Sequence, residues 1–391
     1  MRAVGVLLLL SMLVSAPGAA AAEDQRVHLP EPAGPLPTAT TVLHLTDADR
    51  VDALDPDGGP RELMAQVWYP RLPVGDAPLA PYAPPKEAAA LQAFYPVPPG
   101  AFEGAPTNSA LDAPAIPGDF PVVLFAHGLC AGRTDTTAVN EHLASLGYVV
   151  VALGATHESN QVEFPDGRLV GTADPAFCTA AQAPDDPANA AILERLQRVR
   201  VADVRFTLDE LAALDGGDVP WGLPGALDLD RVGIYGHSFG GSTAAQALAD
   251  DPRLDAGIDL DGLIAGPVRH TGLAKPFLVV GSDYHHTSVK DPSWDDFLPK
   301  LTGWNRWLRF VDAGHYRFVD LGGSTDRWNL KEAMPPETWT SVFGDIDPQR
   351  SQQLLLDFTT AFFDRFLRDR EAPILDGPSA AYPEVEFRAT D

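Results

Sequence analysis

Residues 233–242 read GIYGHSFGGS, which places Ser238 between Gly236 and Gly240, with Gly241 close behind. A serine hydroxyl is a weak nucleophile until a base takes its proton, and that base must be oriented by a carboxylate. Where a nucleophile sits in a G-x-S-x-G turn, the acid and then the histidine follow it in the chain. His315, in the turn that follows WLRFVDAG, is therefore the expected base. His127 and His157 precede the serine and suit loop-stabilising roles. His285 and His286 come too early, and His142 and His270 fall in segments that read as solvent-facing. For the acid, Asp283 ends PFLVVGSD and Asp261 ends AGIDLD one strand earlier, with Asp259 two residues before it on the same face. The pattern alone slightly favours Asp283. A developing oxyanion needs two backbone N–H donors. Phe239, next to the serine, supplies one, and Leu129, after His127-Gly128 in FAHGLCAG, supplies the other.

The elements that must hold these residues can be read from periodicity. RVGIYG (231–236) is a strand and STAAQALAD a helix, so Ser238 occupies the sharp turn between them. Gly236 and Gly240 keep side chains out of that turn, and Gly241 lets the helix approach the strand. Continuous apolar runs at 122–127, 148–154, 231–236, 256–262, 276–283 and 307–315 read as strands. They alternate with helical patterns at 136–147, 191–214 and 352–367. The segment 191–214 reads as a long amphipathic helix with its mixed charges toward solvent. Buried strands alternating with helices predict an α/β-hydrolase fold, a mostly parallel central sheet with helices on both faces. TVLHLTDADR and ELMAQVWYP, joined through DPDGG, add an antiparallel N-terminal edge.

The chain has 391 residues and a formal net charge of -26, which excludes the clustered Lys/Arg surface that nucleic acid requires. The acidity reads as a solubility device. Residues 1–22 combine an early arginine, a short apolar run and AAA before Glu23, the pattern of a secretory signal peptide cut near Ala22. No later run is long enough to span a bilayer, so a secreted protein, expected as a monomer, is predicted. Residues 23–391 read as one α/β-hydrolase domain. Within it, the Pro-rich stretch from about 70 to 121 reads as irregular chain wrapped over the domain, with a brief helical signal at 86–94. Two cysteines in an exported chain, Cys130 and Cys178, are a disulfide candidate. No HExxH or clustered ligand set suggests a metal, and no cofactor is expected. Trp294, Trp304, Trp307 and Trp328 suit core or rim packing, with a cleft lining as the alternative.

Together, FPVVLFAHGLCAGRTDT, GIYGHSFGGSTAAQAL, AGIDLDG, AGHYRFVD and the upstream VWYP resemble the plasma-type platelet-activating-factor acetylhydrolases (the group VII phospholipases A2) and their bacterial secreted relatives over residues 60–370. The resemblance implies a serine esterase of short-chain or phospholipid acyl esters. It also implies that the acid is Asp261, in LDG, with Asp283 as the alternative. LDGLIAGP lacks the bulky aromatic that follows the acid in mammalian members, and their lipoprotein-docking helices find no match. A triacylglycerol lipase or cutinase-like polyester hydrolase is the rival within the same chemistry. A non-catalytic binding protein on the same scaffold is the rival outside it.

Overall fold

The computed structural model describes residues 25–73, 77–215, 226–283 and 292–389. The expected signal peptide and both His285 and His286 lie outside these residues. In chain order, β1 (Thr38–Val51) and β2 (Pro60–Pro70) form the antiparallel edge. They are joined by a turn in which the Asp55 carboxylate accepts the N–H groups of Asp57 and Gly59. Next come β3 (Leu79–Pro81), α1 (Pro85–Phe94), β4 (Pro106–Leu111), β5 (Phe120–Ala126), α2 (Thr137–Ser145) and β6 (Val149–Gly154). A small hairpin of β7 (Gln161–Glu163) and β8 (Leu169–Gly171) precedes the long α3 (Pro187–Asp215). The second half holds β9 (Leu227–His237), α4 (Phe239–Asp250), β10 (Leu254–Leu260), β11 (Phe277–Gly281), β12 (Asn305–Phe310), α5 (Pro348–Arg368) and β13 (Val385–Arg388), with short helical turns between them.

Among the described residues, eleven strands form one sheet in the order β13-β12-β11-β10-β9-β5-β6-β2-β1-β4-β3. The six central strands from β12 to β6 run parallel, and β2 joins β6 antiparallel. This is the α/β-hydrolase arrangement that the strand–helix alternation predicts. Alternate residues of each central strand enter different cores because successive side chains point to opposite faces. Val122, Leu124 and Ile234 pack under α3 and α4, whereas Val123, Phe125 and Tyr235 pack under α2 and α5. The parallel strands all deliver their C-terminal ends to one edge, where ligands bind in such sheets.

The Pro-rich stretch holds more regular structure than its composition implies. Pro85 opens α1, where a missing N–H costs nothing. Pro81 and Pro106 end and start β3 and β4 at the rim of the sheet, where prolines are tolerated. Tyr82, Leu91, Tyr95 and Phe102 of this stretch share a core with Val319, Leu321, Trp328, Trp339 and Phe343, from the chain that follows His315. Two side-chain expectations need correction, those for His142 and for the charged face of α3, whereas the tryptophans pack as expected. His142 is buried in α2 rather than solvent-facing, since that helix is covered on all sides. Trp294 and Trp328 lie in cores, and Trp304 and Trp307 are half-buried against core residues, so packing rather than cleft lining describes them. The polar residues Gln197, Arg200 and Asp203 of α3 face inward. Among the described residues no helix is long and apolar enough to cross a membrane.

Candidate active site

Ser238 follows the last residue of β9 and precedes the first of α4, with φ 56° and ψ −129°. This strained conformation is the price of turning a strand into a helix within one residue, and the surroundings over-determine it. A Cβ on Gly240 would overlap the Ala126 carbonyl, and one on Gly236 would overlap the Gly240 backbone. The Ser238 N–H donates to the Leu260 carbonyl at 2.9 Å, and its own carbonyl accepts from Gly241 N–H at 2.8 Å. The hydroxyl therefore stands half-buried at the end of the sheet, beside the next strand.

That next strand, β10, ends at Leu260 and delivers Asp261, also at positive φ. Its fully buried carboxylate accepts Ser282 N–H at 2.6 Å, Ser282 Oγ–H at 2.9 Å and His315 Nδ1–H at 2.6 Å. Two further contacts fix this turn. Asp259 Oδ1 accepts Gly262 N–H at 2.9 Å, and the Trp294 indole N–H donates to the Gly262 carbonyl at 2.6 Å. His315 opens a short turn after β12, with its ring partly exposed and 4.6 Å from the His237 ring, centroid to centroid. His237 Nε2 donates to the His315 carbonyl at 3.0 Å, so the residue before the serine braces the backbone of the histidine. Asp283 is occupied elsewhere: Arg309 reaches its Oδ1 at 3.1 Å, and Asp312 N–H donates to its Oδ2 at 2.9 Å. The structure thus brings Asp261, and not Asp283, to His315.

On the other side of the serine lies the loop after β5. Gly128 is close enough that a Cβ there would stand 3.2 Å from Ser238 Cβ. Leu129 N–H takes no hydrogen bond among the described residues, and Phe239, at the first position of α4, has no intrahelical acceptor for its own N–H. Two donors therefore flank the serine. His127 is fully buried, and burial together with the neighbouring Arg200 cation pushes its pKa well below the ordinary imidazole value. As a neutral ring it donates Nδ1–H to the Gly128 carbonyl at 2.7 Å. Its Nε2 accepts from Ala155 N–H at 3.1 Å and Ser159 Oγ–H at 2.9 Å. Cys130 follows Leu129 directly and is bonded to Cys178, with Cα atoms 5.3 Å apart. Apolar surface surrounds the elbow: Phe239, Leu263 and Cys130 are buried together, with half-buried Phe94, Leu129 and Ala265 packed on them. Phe94 belongs to α1, so the Pro-rich segment reaches the site. Tyr95 continues the contact through Tyr316 to His315, each ring pair within 5.9 Å. Among the described residues no group of His, Cys, Asp or Glu could hold a metal ion.

The residues that pattern reading overlooked are those behind the loop. Arg200 of α3 and Glu158 form a fully buried ion pair whose guanidinium also grips the loop carbonyls. A signal existed: position 200 falls on the 3–4 spacing of Leu193, Leu196, Val204 and Leu211, the buried stripe of α3. A cation on such a stripe needs an internal partner.

Known proteins resemble this chain along most of its length. The family model described as "Platelet-activating factor acetylhydrolase, isoform II" matches residues 100–169 and 190–372. A probable 1-alkyl-2-acetylglycerophosphocholine esterase of Arthroderma benhamiae is 28% identical, the alignment covering 92% of this chain and 93% of that protein. A platelet-activating factor acetylhydrolase of Cavia porcellus is 25% identical over 63% of this chain and 58% of its own length. Among solved structures, a ferulic acid esterase from Streptomyces cinnamoneus superposes with a TM-score of 0.78 at 34% identity, covering 94% of this chain and all of that one.

Proposed function

The chain belongs to the platelet-activating factor acetylhydrolase isoform II family and is a carboxylic ester hydrolase, and on that premise we propose that Ser238, His315 and Asp261 are its catalytic triad. The observation that carries the assignment is the 2.6 Å contact of His315 Nδ1 with buried Asp261, beside a strained serine elbow. With Nδ1–H given to Asp261, Nε2 holds the lone pair that takes the Ser238 proton. The serine oxygen then attacks the ester carbonyl. Leu129 and Phe239 N–H groups receive the oxyanion, His315 returns the proton to the leaving alcohol, and water activated by the same ring releases the acid. The protein acts as a secreted, single-domain monomer on esters with a short acyl group. Support for export comes from the composition of residues 1–22 and the disulfide. Apolar Phe94, Leu129 and Leu263 around the elbow suit a small acyl group.

A second reading has its own support. The 34% identity to a ferulic acid esterase across nearly the whole chain, with Tyr316 against His315 and Tyr95 and Phe94 following it in a run of ring contacts, fits an aromatic acyl group. The test is the hydrolysis rate of purified protein on p-nitrophenyl esters from acetate to palmitate and on methyl ferulate, with Ser238→Ala as blank. A serine-dependent rate that peaks at acetate or butyrate supports the short-acyl reading, and a preference for methyl ferulate supports the aromatic one. No serine-dependent rate on any ester would refute the triad.

A further inference from the structure

We infer that Arg200 is a positioning residue for the oxyanion hole, anchoring from behind the loop that carries the Leu129 donor. The inference rests on the ester-hydrolase reading above. The guanidinium is bidentate to Glu158, with Nε to Oε2 at 2.7 Å and Nη2 to Oε1 at 2.5 Å. Two more of its five donors go to the loop: Nη1–H to the His127 carbonyl at 2.5 Å and Nη2–H to the Gly128 carbonyl at 3.1 Å. The guanidinium carbon also lies 5.2 Å from the centre of the Phe239 ring. One side chain therefore anchors the loop backbone that carries the Leu129 donor and packs on the ring of the residue that carries the other.

The consequence follows from peptide geometry. In a trans peptide the carbonyl and the following N–H point in opposite directions, because the amide is planar. Anchoring the Gly128 carbonyl on Arg200 turns Leu129 N–H away from the guanidinium, toward the side where Gly128 meets Ser238. A carbonyl that accepts from a cation also polarises its amide and makes the N–H a stronger donor. Glu158 has a different part. It offsets the buried cation but makes no contact with either loop carbonyl or with Phe239. His127 supports the same carbonyl from the second side.

These separate parts give the test. Arg200→Lys keeps a cation beside Glu158 but removes the fork that spans two carbonyls, whereas Glu158→Gln removes the counter-charge and leaves the fork in place. We expect Arg200→Lys to lower kcat on p-nitrophenyl butyrate by ~100-fold, the loss typical of one oxyanion donor, with KM nearly unchanged. Affinity for a boronic acid, whose serine adduct is tetrahedral, should fall in parallel. Glu158→Gln should lower the melting temperature but keep kcat close to wild type. Should Arg200→Lys fail to fold, the neutral pair Arg200→Gln/Glu158→Gln serves in its place, with the same loss of kcat expected. Equal losses of kcat in the Arg200 and Glu158 variants, or a folded Arg200 variant with wild-type kcat, would overturn the proposal. Absence of serine-dependent turnover in the wild type would instead refute the triad on which it rests.

Discussion

The serine elbow and the oxyanion loop meet where Gly128 abuts Ser238, yet they are held in opposite ways. The elbow is held by its own short sequence: glycines at 236, 240 and 241, a strand before, a helix after, and one bond to the adjacent strand. The loop has no regular structure of its own. It is held by side chains distant in sequence, with Arg200 on two of its carbonyls and Cys178 bonded to Cys130 across 48 residues, while His127 folds onto the neighbouring Gly128. A nucleophile can be built locally because its geometry is one strained residue. An oxyanion donor must be aimed at a point in space that its own segment does not define.

The largest expected effect breaks the elbow side without touching the loop. Asp261→Asn should cut kcat by about a thousandfold to ten-thousandfold, because His315 loses the acceptor that fixes its tautomer and orientation. Asp283→Asn should leave kcat near wild type, since Asp283 serves Arg309 and Asp312. Steady-state kinetics on the two purified variants decide it, and the reverse result would reassign the acid.

Next in size, Cys178→Ala tests how far the loop depends on distant support. Opening a 48-residue loop is expected to cost up to about 4 kcal/mol by chain entropy, read from denaturant unfolding. The residual activity should fall through kcat, because Cys130 adjoins the Leu129 donor. An unchanged unfolding midpoint would show that Arg200 suffices.

The smallest effect concerns the far end of the loop. Asp135 is buried, its Oδ2 accepts Gly132 N–H at 3.3 Å, and burial raises its pKa to about 7. Asp320 donates its N–H to the Asp135 carbonyl and accepts from the Tyr82 hydroxyl, and its carboxyl is pushed up by burial as well. An acid whose pKa is higher folded than unfolded holds its proton more tightly in the folded state. Its contribution to stability is therefore full below about pH 4, declines as pH rises toward 7 and is lost above that. The slope is at most about 1.4 kcal/mol per pH unit for one proton. Asp135→Asn removes that slope, so the variant's melting temperature relative to wild type should rise from pH 5 to pH 8. A difference constant with pH would mean that Asp135 does not titrate in this range.

Much of this molecule was legible from its residues, and what was not has a common cause. The central strands are apolar on both faces, and Ser238 and His315 stand where those strands end, so one-dimensional pattern was sufficient to find them. Pattern preferred Asp283 to Asp261, since both end strands and only contact with His315 separates them. Resemblance to a family tipped the choice to Asp261, the residue that the geometry brings to the histidine. The prolines of residues 70–121 suggested irregular chain, whereas the stretch folds into edge strands and a helix whose Phe94 and Tyr95 reach the site. Charges on α3 read as solvent-facing, because helical periodicity records where apolar residues lie and not whether a cation among them has a partner.

By itself, then, the sequence determined the sheet, the elbow and the placing of Ser238 and His315 at strand ends, all of which depend on steric rules acting over a few residues. Only the tertiary structure decided which carboxylate meets His315, what aims Leu129 N–H and what walls the acyl site. Each of these is a contact between segments tens of residues apart, and a buried hydrogen bond is set by position and direction in space, which no local periodicity encodes.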